Sequence, residues 1–190
     1  MQPIQPAPRR LSPPVLIFVG VAVLLGIALA VRAANRAASD APIAEVKVSL
    51  SGLARDHRDG TLSYPQQPPV GGVHNAAWIN CGIYQQQVAT ESAVHSLEHG
   101  AVWISYDPNL PETDIAKLRE AVRDHPYTLL TPARYGSLET PVVAVAWGTR
   151  LNLPNASDPR LLRFIVRYAN SPQSPEPGAA CTGGIGTPNG

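Results

Sequence analysis

The longest feature of the hydrophobic pattern is an uninterrupted apolar run near the start of the chain. Residues 15–31 carry no charged side chain, and the apolar segment is long enough to cross a bilayer core of about 30 Å. A cleaved signal peptide usually has a shorter apolar region, of about 7 to 15 residues, although the alanines after this run would suit a signal peptidase. The pattern favours an uncleaved signal anchor over residues 15–34, with the lipid bilayer as its partner.

The segments around this run differ in composition and divide the rest of the chain. Residues 1–14 are Pro-rich and are predicted to be a cytoplasmic tail, and the small polar residues 35–42 are predicted to be a linker. Residues 43–182 are long enough for one domain with a sizeable core, and residues 183–190 are expected to form a flexible tail. The expected protein crosses the cell membrane once and carries a single domain.

Within this domain, period-two alternation or unbroken apolar character predicts strands, and a spacing of three to four predicts helices. Predicted strands cover residues 46–50, 61–64, 101–106, 127–130 and 142–147, and predicted helices cover residues 90–99, 112–125 and 159–170. The expected fold class is α+β, with a small mixed or antiparallel sheet, helices on one face, and one transmembrane helix before the domain.

The arginines do not indicate which way the apolar run would cross the membrane, because two of them lie on each side of it. The two cysteines are therefore used to predict the orientation. Cys81 and Cys181 are the only cysteines of the chain. An even pair on an exported domain indicates one disulfide in an oxidising compartment, which places the domain outside the cytoplasm. A loop of about 100 residues would be closed, worth roughly 4 to 5 kcal/mol in the loop-entropy model. Two unrelated buried thiols are the alternative.

Composition excludes one class of partner. The net charge is +1, from 15 Lys and Arg against 14 Asp and Glu, and basic residues occur at most in pairs. Nucleic-acid binding has no electrostatic support in such a sequence, and the sequence identifies no protein partner.

The strongest chemical motif is the sequence His-x-x-Glu-His at His95, Glu98 and His99. Imidazoles four residues apart share one face of a helix and can bind one metal ion. In peptidases with this pattern, the two histidines hold zinc and the glutamate activates water. Gly100 ends the predicted helix directly after the motif, which favours metal binding without hydrolysis.

Further ligands are expected from two irregular loops. His57 lies in a predicted turn, and His74 lies in the Pro/Gly-rich stretch 65–84, whose length suggests a functional loop. Three or four imidazoles, with Glu98 as a further ligand or supporting group, suit Zn or Cu. The residues predicted to line this site are Trp78, Tyr84 and Trp103.

Two other interpretations stay open at this point. In the first, the same residues form a buried polar network of a structural or interaction module in the cell envelope. In the second, the protein is a small metal-dependent hydrolase with Glu98 as general base, and only then would the chain contain a catalytic residue. His125, at the end of a predicted helix, is expected to be a surface residue that interacts favourably with the helix dipole.

Several segments in sequence order resemble a bacterial membrane family called domain of unknown function 3105. The matching segments are residues 68–74, Trp78, residues 81–84, residues 94–106, residues 146–148 and residues 175–181. The resemblance covers about residues 53–182. It implies a single anchor helix and an extracytoplasmic domain, and the pairing of Cys81 with Cys181 is similar to the family's usual pattern.

The chain departs from this family at one place. After Tyr84 the family often has an acidic residue and a proline, whereas this chain has the glutamines 85–87. A ligand or contact from that acid is therefore missing here. The resemblance implies no established activity.

Overall fold

The structure is a computed structural model that describes residues 23–33 and 43–190. The chain divides into two units, Met1–Ala41 and Pro42–Gly190. In the first unit, residues 23–33 are helical. Among the described residues, no helix combines the length and apolar character needed to cross a bilayer. The predicted anchor lies partly outside the described residues, and the predicted cytoplasmic tail and the predicted linker lie entirely outside them.

The second unit combines one sheet with helices, as its apolar pattern predicts. The strands are β1 (Val46–Lys47), β2 (Gly82–Ile83), β3 (Val102–Tyr106), β4 (Thr128–Pro132), β5 (Val142–Ala146) and β6 (Thr149–Leu153), and the helices are α1 (Thr90–Glu98), α2 (Glu112–Val122) and α3 (Arg160–Tyr168). The three predicted helices of the domain and the predicted strands 101–106, 127–130 and 142–147 are confirmed within a few residues. The fold class α+β is therefore confirmed.

The strands form one mixed sheet in the order β1-β6-β5-β3-β4-β2. β4 pairs in parallel with both β2 and β3, and the other pairs are antiparallel. Parallel neighbours cannot be joined by a tight turn, and α2 provides the crossover between β3 and β4. β3 and β5 lie at the centre of the sheet, and every residue of both strands is buried.

Helices cover both faces of the sheet. On one face, Ile104 belongs to an apolar cluster with Leu118 of α2 and Phe164 of α3. On the other face, Val145 belongs to a second cluster with Leu97 of α1. The prediction that the helices lie on one face is therefore wrong. An unbroken apolar strand buries both of its faces, so the sheet requires a covering layer on each side.

The hydrophobic pattern does not predict β6, because Thr149, Arg150 and Asn152 interrupt it. Arg150 is buried, and its guanidinium donates to the carbonyl oxygens of Gln67 and Pro68 at 3.0 and 3.1 Å. A buried charged group of this kind is stabilised by its hydrogen bonds, which periodicity does not report. The interaction attaches the Pro-rich loop to the sheet.

The other two strand predictions differ from the structure. The predicted half-buried strand 46–50 is reduced to β1, in which Val46 is 61% exposed. β1 is an edge strand that pairs with Arg150 and Thr149 of β6, and because β6 begins at Thr149, residues 48–50 extend past the start of their partner strand. Residues 61–64 form no strand.

Residues 183–190, predicted to be a flexible tail, are hydrogen-bonded to the Pro/Gly-rich loop. The amide of Ile185 donates to the carbonyl of Trp78, and the amide of Asn80 donates to the carbonyl of Ile185, both at 2.9 Å. A chain end that pairs in this way is held in place. The structure therefore differs from the prediction because the polar tail satisfies loop groups that have no other backbone partner.

α1 ends at a turn that requires glycine. Gly100 has a φ of +100°, and a Cβ at this position would lie 3.0 Å from the Cα of Asn170. The amide of Ala101 donates to the carbonyl of Ser96 at 2.9 Å, the bond of a Schellman turn. The prediction that Gly100 ends the helix is confirmed. The turn leads directly into β3 and fixes the end of α1 against the sheet.

Replacing Gly100 by alanine should destabilise the domain by more than the same change at Gly136. Both glycines have positive φ, but a Cβ at Gly136 meets nothing within 4 Å. Backbone strain alone costs about 1 to 2 kcal/mol, and Gly100→Ala adds crowding against Asn170. Urea unfolding of the two variants measures the difference in the free energy of unfolding. An equal loss of unfolding free energy in the two variants would show that crowding against Asn170 does not destabilise the domain.

Candidate metal centre

Two loops bring their histidines together through backbone hydrogen bonds. The amide of Arg58 donates to the carbonyl of His74 at 2.8 Å, and the amide of His74 donates to the carbonyl of Asp56 at 3.1 Å. His57 and His74 therefore lie side by side as a parallel bridge. Their ring centroids are 4.9 Å apart. The predicted turn and the Pro/Gly-rich loop each supply one side of the site.

The Pro/Gly-rich loop is attached to α1 by a buried serine. The hydroxyl of Ser96 donates to the carbonyl of Ile79 at 2.8 Å and accepts from its amide at 3.1 Å. The amide of Asn75 also donates to the carbonyl of Glu91 at 3.4 Å. These contacts hold the loop along α1. Ser96 therefore has a structural task at this position.

Four potential ligands converge where the loops meet α1. One atom from each of His57, His74, His95 and Glu98 lies within 4.8 Å of the atoms from the other three. Such atoms lie within roughly 3 Å of a common point, and metal–nitrogen bonds are about 2.0 to 2.1 Å long. Small side-chain movements would therefore bring the four atoms to metal-bond distance from one point. His57 has a side chain that is 49% exposed, whereas the other three residues are buried.

Backbone carbonyls orient two of the buried imidazoles. Nδ1 of His74 lies 2.9 Å from the carbonyl oxygen of Gly72, and Nδ1 of His95 lies 2.7 Å from that of Asn75. A carbonyl oxygen can only accept, so each Nδ1 carries the proton and donates. In the neutral rings, each Nε2 is then left with its lone pair. Metal-binding histidines are commonly oriented in this way.

His99 is oriented by the same kind of bond but faces a different neighbour. Its Nδ1 donates to the carbonyl of Ala180 at 2.8 Å, and its Nε2 lies 3.0 Å from Nε2 of His95. The same Nε2 is 3.6 Å from a carboxylate oxygen of Glu176. His99 therefore touches His95 but is not one of the four converging residues.

Glu98 is the negative charge among these imidazoles. Its Oε2 lies 2.9 Å from Nε2 of His74, although the geometry does not make a hydrogen bond, so this buried nitrogen has none. Burial alone would lower the pKa of His74, but the contact with Glu98 raises it above its usual value. Burial likewise opposes charge on Glu98, yet His74 and the other imidazoles keep its pKa below the usual value. The two groups favour each other's charged form.

The pKa of His95 is shifted in the opposite direction, below its usual value. Burial lowers its pKa, and the neighbouring imidazoles lower it further, while the bond to Asn75 opposes the shift. A neutral imidazole with a free Nε2 is the form that binds a metal. The site therefore combines one imidazole kept neutral, one paired with a carboxylate, and an exposed third.

The cysteine prediction is supported at the level of distance. Cys81 and Cys181 lie at disulfide distance, with Cα atoms 5.3 Å apart, and the amide of Cys81 donates to the carbonyl of Cys181 at 2.7 Å. Ala180, whose carbonyl orients His99, directly precedes Cys181. The cysteines therefore attach the C-terminal segment to the site.

The aromatic residues predicted to line the site have different positions. The ring of Trp78 lies 4.9 Å from that of His99, next to the site. Tyr84 donates its hydroxyl to the carbonyl of Asn80, and Trp103 donates its indole N–H to Thr131 on the sheet. Neither Tyr84 nor Trp103 has a ring contact with the histidines among the described residues.

Sequence reasoning misses the groups that orient the imidazoles. Gly72, Asn75 and Ala180 act through their main-chain carbonyls. A carbonyl is present at every residue, so no residue type identifies these positions. Glu176 is a side-chain neighbour of His99 that lies outside any motif near the histidines.

Comparison with known proteins identifies only the family of this chain. A family model described as "Protein of unknown function (DUF3105)" matches residues 56–183, and the chain belongs to this family. The matched region includes every histidine and the glutamate of the site. The resemblance stated above is confirmed as to family, and its bacterial and membrane character remains a prediction. No curated protein and no solved structure matches the chain.

Glu98→Gln should lower the pKa of His74 in the metal-free full chain. In the wild type the imidazole should titrate above 6.5, and in the variant below it, because burial then acts without the nearby charge. Histidine signals in a proton NMR titration measure both values. Glu120→Gln, on the exposed face of α2, is the control for a lost charge. An unchanged titration of His74 in Glu98→Gln would contradict the pairing.

The same pair predicts a pH window for stability. The contribution of Glu98 is lost as pH falls through its lowered folded pKa, below its ordinary 4.5, and the contribution of His74 is lost as pH rises through its raised folded pKa, above 6.5. The difference in free energy of unfolding between wild type and Glu98→Gln should therefore be largest between these limits. Urea unfolding at a series of pH values would show a constant difference if the pair were not coupled.

Proposed function

We propose that this protein binds one transition-metal ion, Zn(II) or Cu(II), in the extracytoplasmic part of the cell envelope. His74 and His95 supply buried nitrogen ligands, and Glu98 supplies a carboxylate. His57 completes the set from the exposed side, and His99 lies beside His95 as a supporting or exchangeable group. The protein acts in binding or envelope homeostasis.

One observation carries this proposal. The Nε2 atoms of His95 and His99 face each other at 3.0 Å while both Nδ1 atoms donate to carbonyls. Two neutral rings in that state would point lone pairs at one another, so a proton or another cation is required there. Nε2 of His74 is buried without a hydrogen bond. A metal ion held by Nε2 of His74 and His95 would use both lone pairs, whereas a purely structural polar network has to keep a proton between His95 and His99.

The donor set favours particular metals. Imidazole with carboxylate suits Zn(II) and Cu(II), whereas Cu(I) prefers thiolate or thioether. The cysteines lie at disulfide distance, and the sequence has a single methionine. Soft ligands are therefore scarce in this chain.

Hydrolysis is the less favoured activity for the same site. In that mechanism the glutamate acts on metal-bound water from outside the ligand set. Here an oxygen of Glu98 lies among the converging ligand atoms, 2.9 Å from Nε2 of His74. Glu98 is accordingly assigned to metal binding.

The proposed location has two supports. The charge-free residues 15–31 suit a membrane anchor, and the cysteine pair suits an oxidising compartment. Together they favour a single-pass protein whose domain lies outside the cytoplasm.

The metal is tested by titration of the purified full chain with zinc and with copper. Calorimetry and elemental analysis should show one ion per chain, and His74→Ala and His95→Ala should weaken binding by on the order of 100-fold, since each removes a buried ligand. His57→Ala should weaken it less, because its side chain is half exposed.

His125→Ala is the matched control, since this histidine follows α2 and lies outside the four converging residues. It should bind as the wild type does. Lack of saturable binding by either metal in the folded wild type would contradict the proposal and favour the structural module. Retained metal with lost hydrolytic turnover in Glu98→Gln would instead establish the hydrolase.

The proposed location outside the cytoplasm predicts that Cys81 and Cys181 form a disulfide in cells. Alkylation of the denatured full chain, trapped directly from cells, should label no thiol before reduction and two after it. Cys81→Ser and Cys181→Ser should each remove about 2 to 5 kcal/mol of stability, because a loop of about 100 residues is no longer closed. Full labelling of both thiols before reduction would contradict an oxidising compartment.

A further inference from the structure

A second concave site lies on the α1 side of the sheet, apart from the histidines. A cavity of about 330 Å³ opens where β3 and β4 end, and none of the converging metal ligands lines it. β3 and β4 are parallel, so their carboxyl ends meet at one edge of the sheet. Small molecules commonly bind beyond the carboxyl ends of parallel strands. The position and size of the cavity suit a small ligand.

A buried hydroxyl without a partner lines this cavity. Ser105 of β3 is only 2% exposed, and its hydroxyl has no hydrogen bond to any residue that the structure describes. Thr131 of β4, beside it in the lining, accepts from the indole N–H of Trp103 at 2.9 Å and has no described acceptor for its own proton. Buried polar groups in proteins are normally hydrogen-bonded. Two donors are therefore available to a bound molecule.

The N-terminus of α1 also lines the cavity. The residue before the helix is Ala89, so no side chain caps the first amide groups, and Thr90 and Glu91 both border the cavity. Uncapped amides and the helix dipole favour a negative group at this point. Glu91 already places a carboxylate in this first turn, so the hydroxyls of Ser105 and Thr131 are the donors that remain for an anionic group of a ligand.

Two opposite charges border the cavity without pairing. Arg134 and Glu91 both line it, and neither has an ion pair with a described side chain within 4.0 Å. Glu91 does accept the amide of Leu62 at 2.8 Å, which fixes its carboxylate at the rim. A ligand with one negative and one positive group would match both charges, and the face of Trp103 would contact its apolar part.

We propose that this cavity binds a small zwitterion, an amino acid or a short peptide. Its carboxylate lies near Arg134 and the hydroxyls of Ser105 and Thr131, and its ammonium group lies near Glu91 in the first turn of α1. This assignment is independent of the metal ion, because the two sites share no ligand residue.

The test uses NMR titration of the purified full chain with glycine, L-serine, L-leucine, L-phenylalanine and glycyl-leucine. At least one of them should shift the signals of Ser105 and Trp103 saturably. For L-leucine, removing one charge should weaken binding at least tenfold, so 4-methylpentanoate and 3-methylbutylamine serve as matched probes. Arg134→Gln, Glu91→Gln and Ser105→Ala should each weaken binding to a similar extent while zinc binding stays unchanged.

Arg123→Gln, on the exposed end of α2, is the control variant and should bind as the wild type does. The proposal is overturned if none of the five zwitterions binds saturably, or if 4-methylpentanoate binds as tightly as L-leucine. Binding that survives Arg134→Gln and Ser105→Ala would also overturn it, because the ligand would then lie elsewhere. Loss of zinc binding in His95→Ala with zwitterion binding retained would separate this site from the metal site.

Discussion

The candidate metal site depends on one constraint, the bonding of imidazole Nδ1 atoms to main-chain carbonyls. His74, His95 and His99 each donate to a carbonyl of an irregular segment. This leaves Nε2 of His74 and His95 among the converging ligands and Nε2 of His99 facing His95. Carbonyl oxygens cannot donate, so the position of the proton follows from the fold. The fold therefore determines both the positions of the candidate ligands and the positions of their Nδ1 protons.

The scaffold explains why irregular segments can supply such precise bonds. The central strands β3 and β5 are buried on both faces, and α1 covers the face on which the site is built. The Pro/Gly-rich loop is attached to α1 through Ser96 and to β6 through Arg150. The cysteine pair holds the C-terminal segment beside them. Loops that are held on a rigid sheet in this way can carry a binding site.

α1 serves both proposed sites, with a different end for each. Its last turns carry His95 and Glu98, and its uncapped start borders the cavity with Ser105. The two ends of a helix differ in chemistry, because free amides lie at one end and free carbonyls at the other. The candidate metal ligands and the residues that line the cavity can therefore occur on the same short helix without sharing residues.

Local spacing in the sequence determined the helices, the central strands and the types of ligand. His95 and Glu98 lie on one short helix ended by Gly100 because neighbouring residues set that geometry. The sequence also predicted His57 and His74 as further ligands, but only the tertiary structure brought them to this helix and placed His99 beside the group. It also placed helices on both faces and formed β6 from a polar pattern. These outcomes depend on hydrogen bonds between distant segments, often to main-chain carbonyls, and such bonds leave no periodic pattern in the sequence.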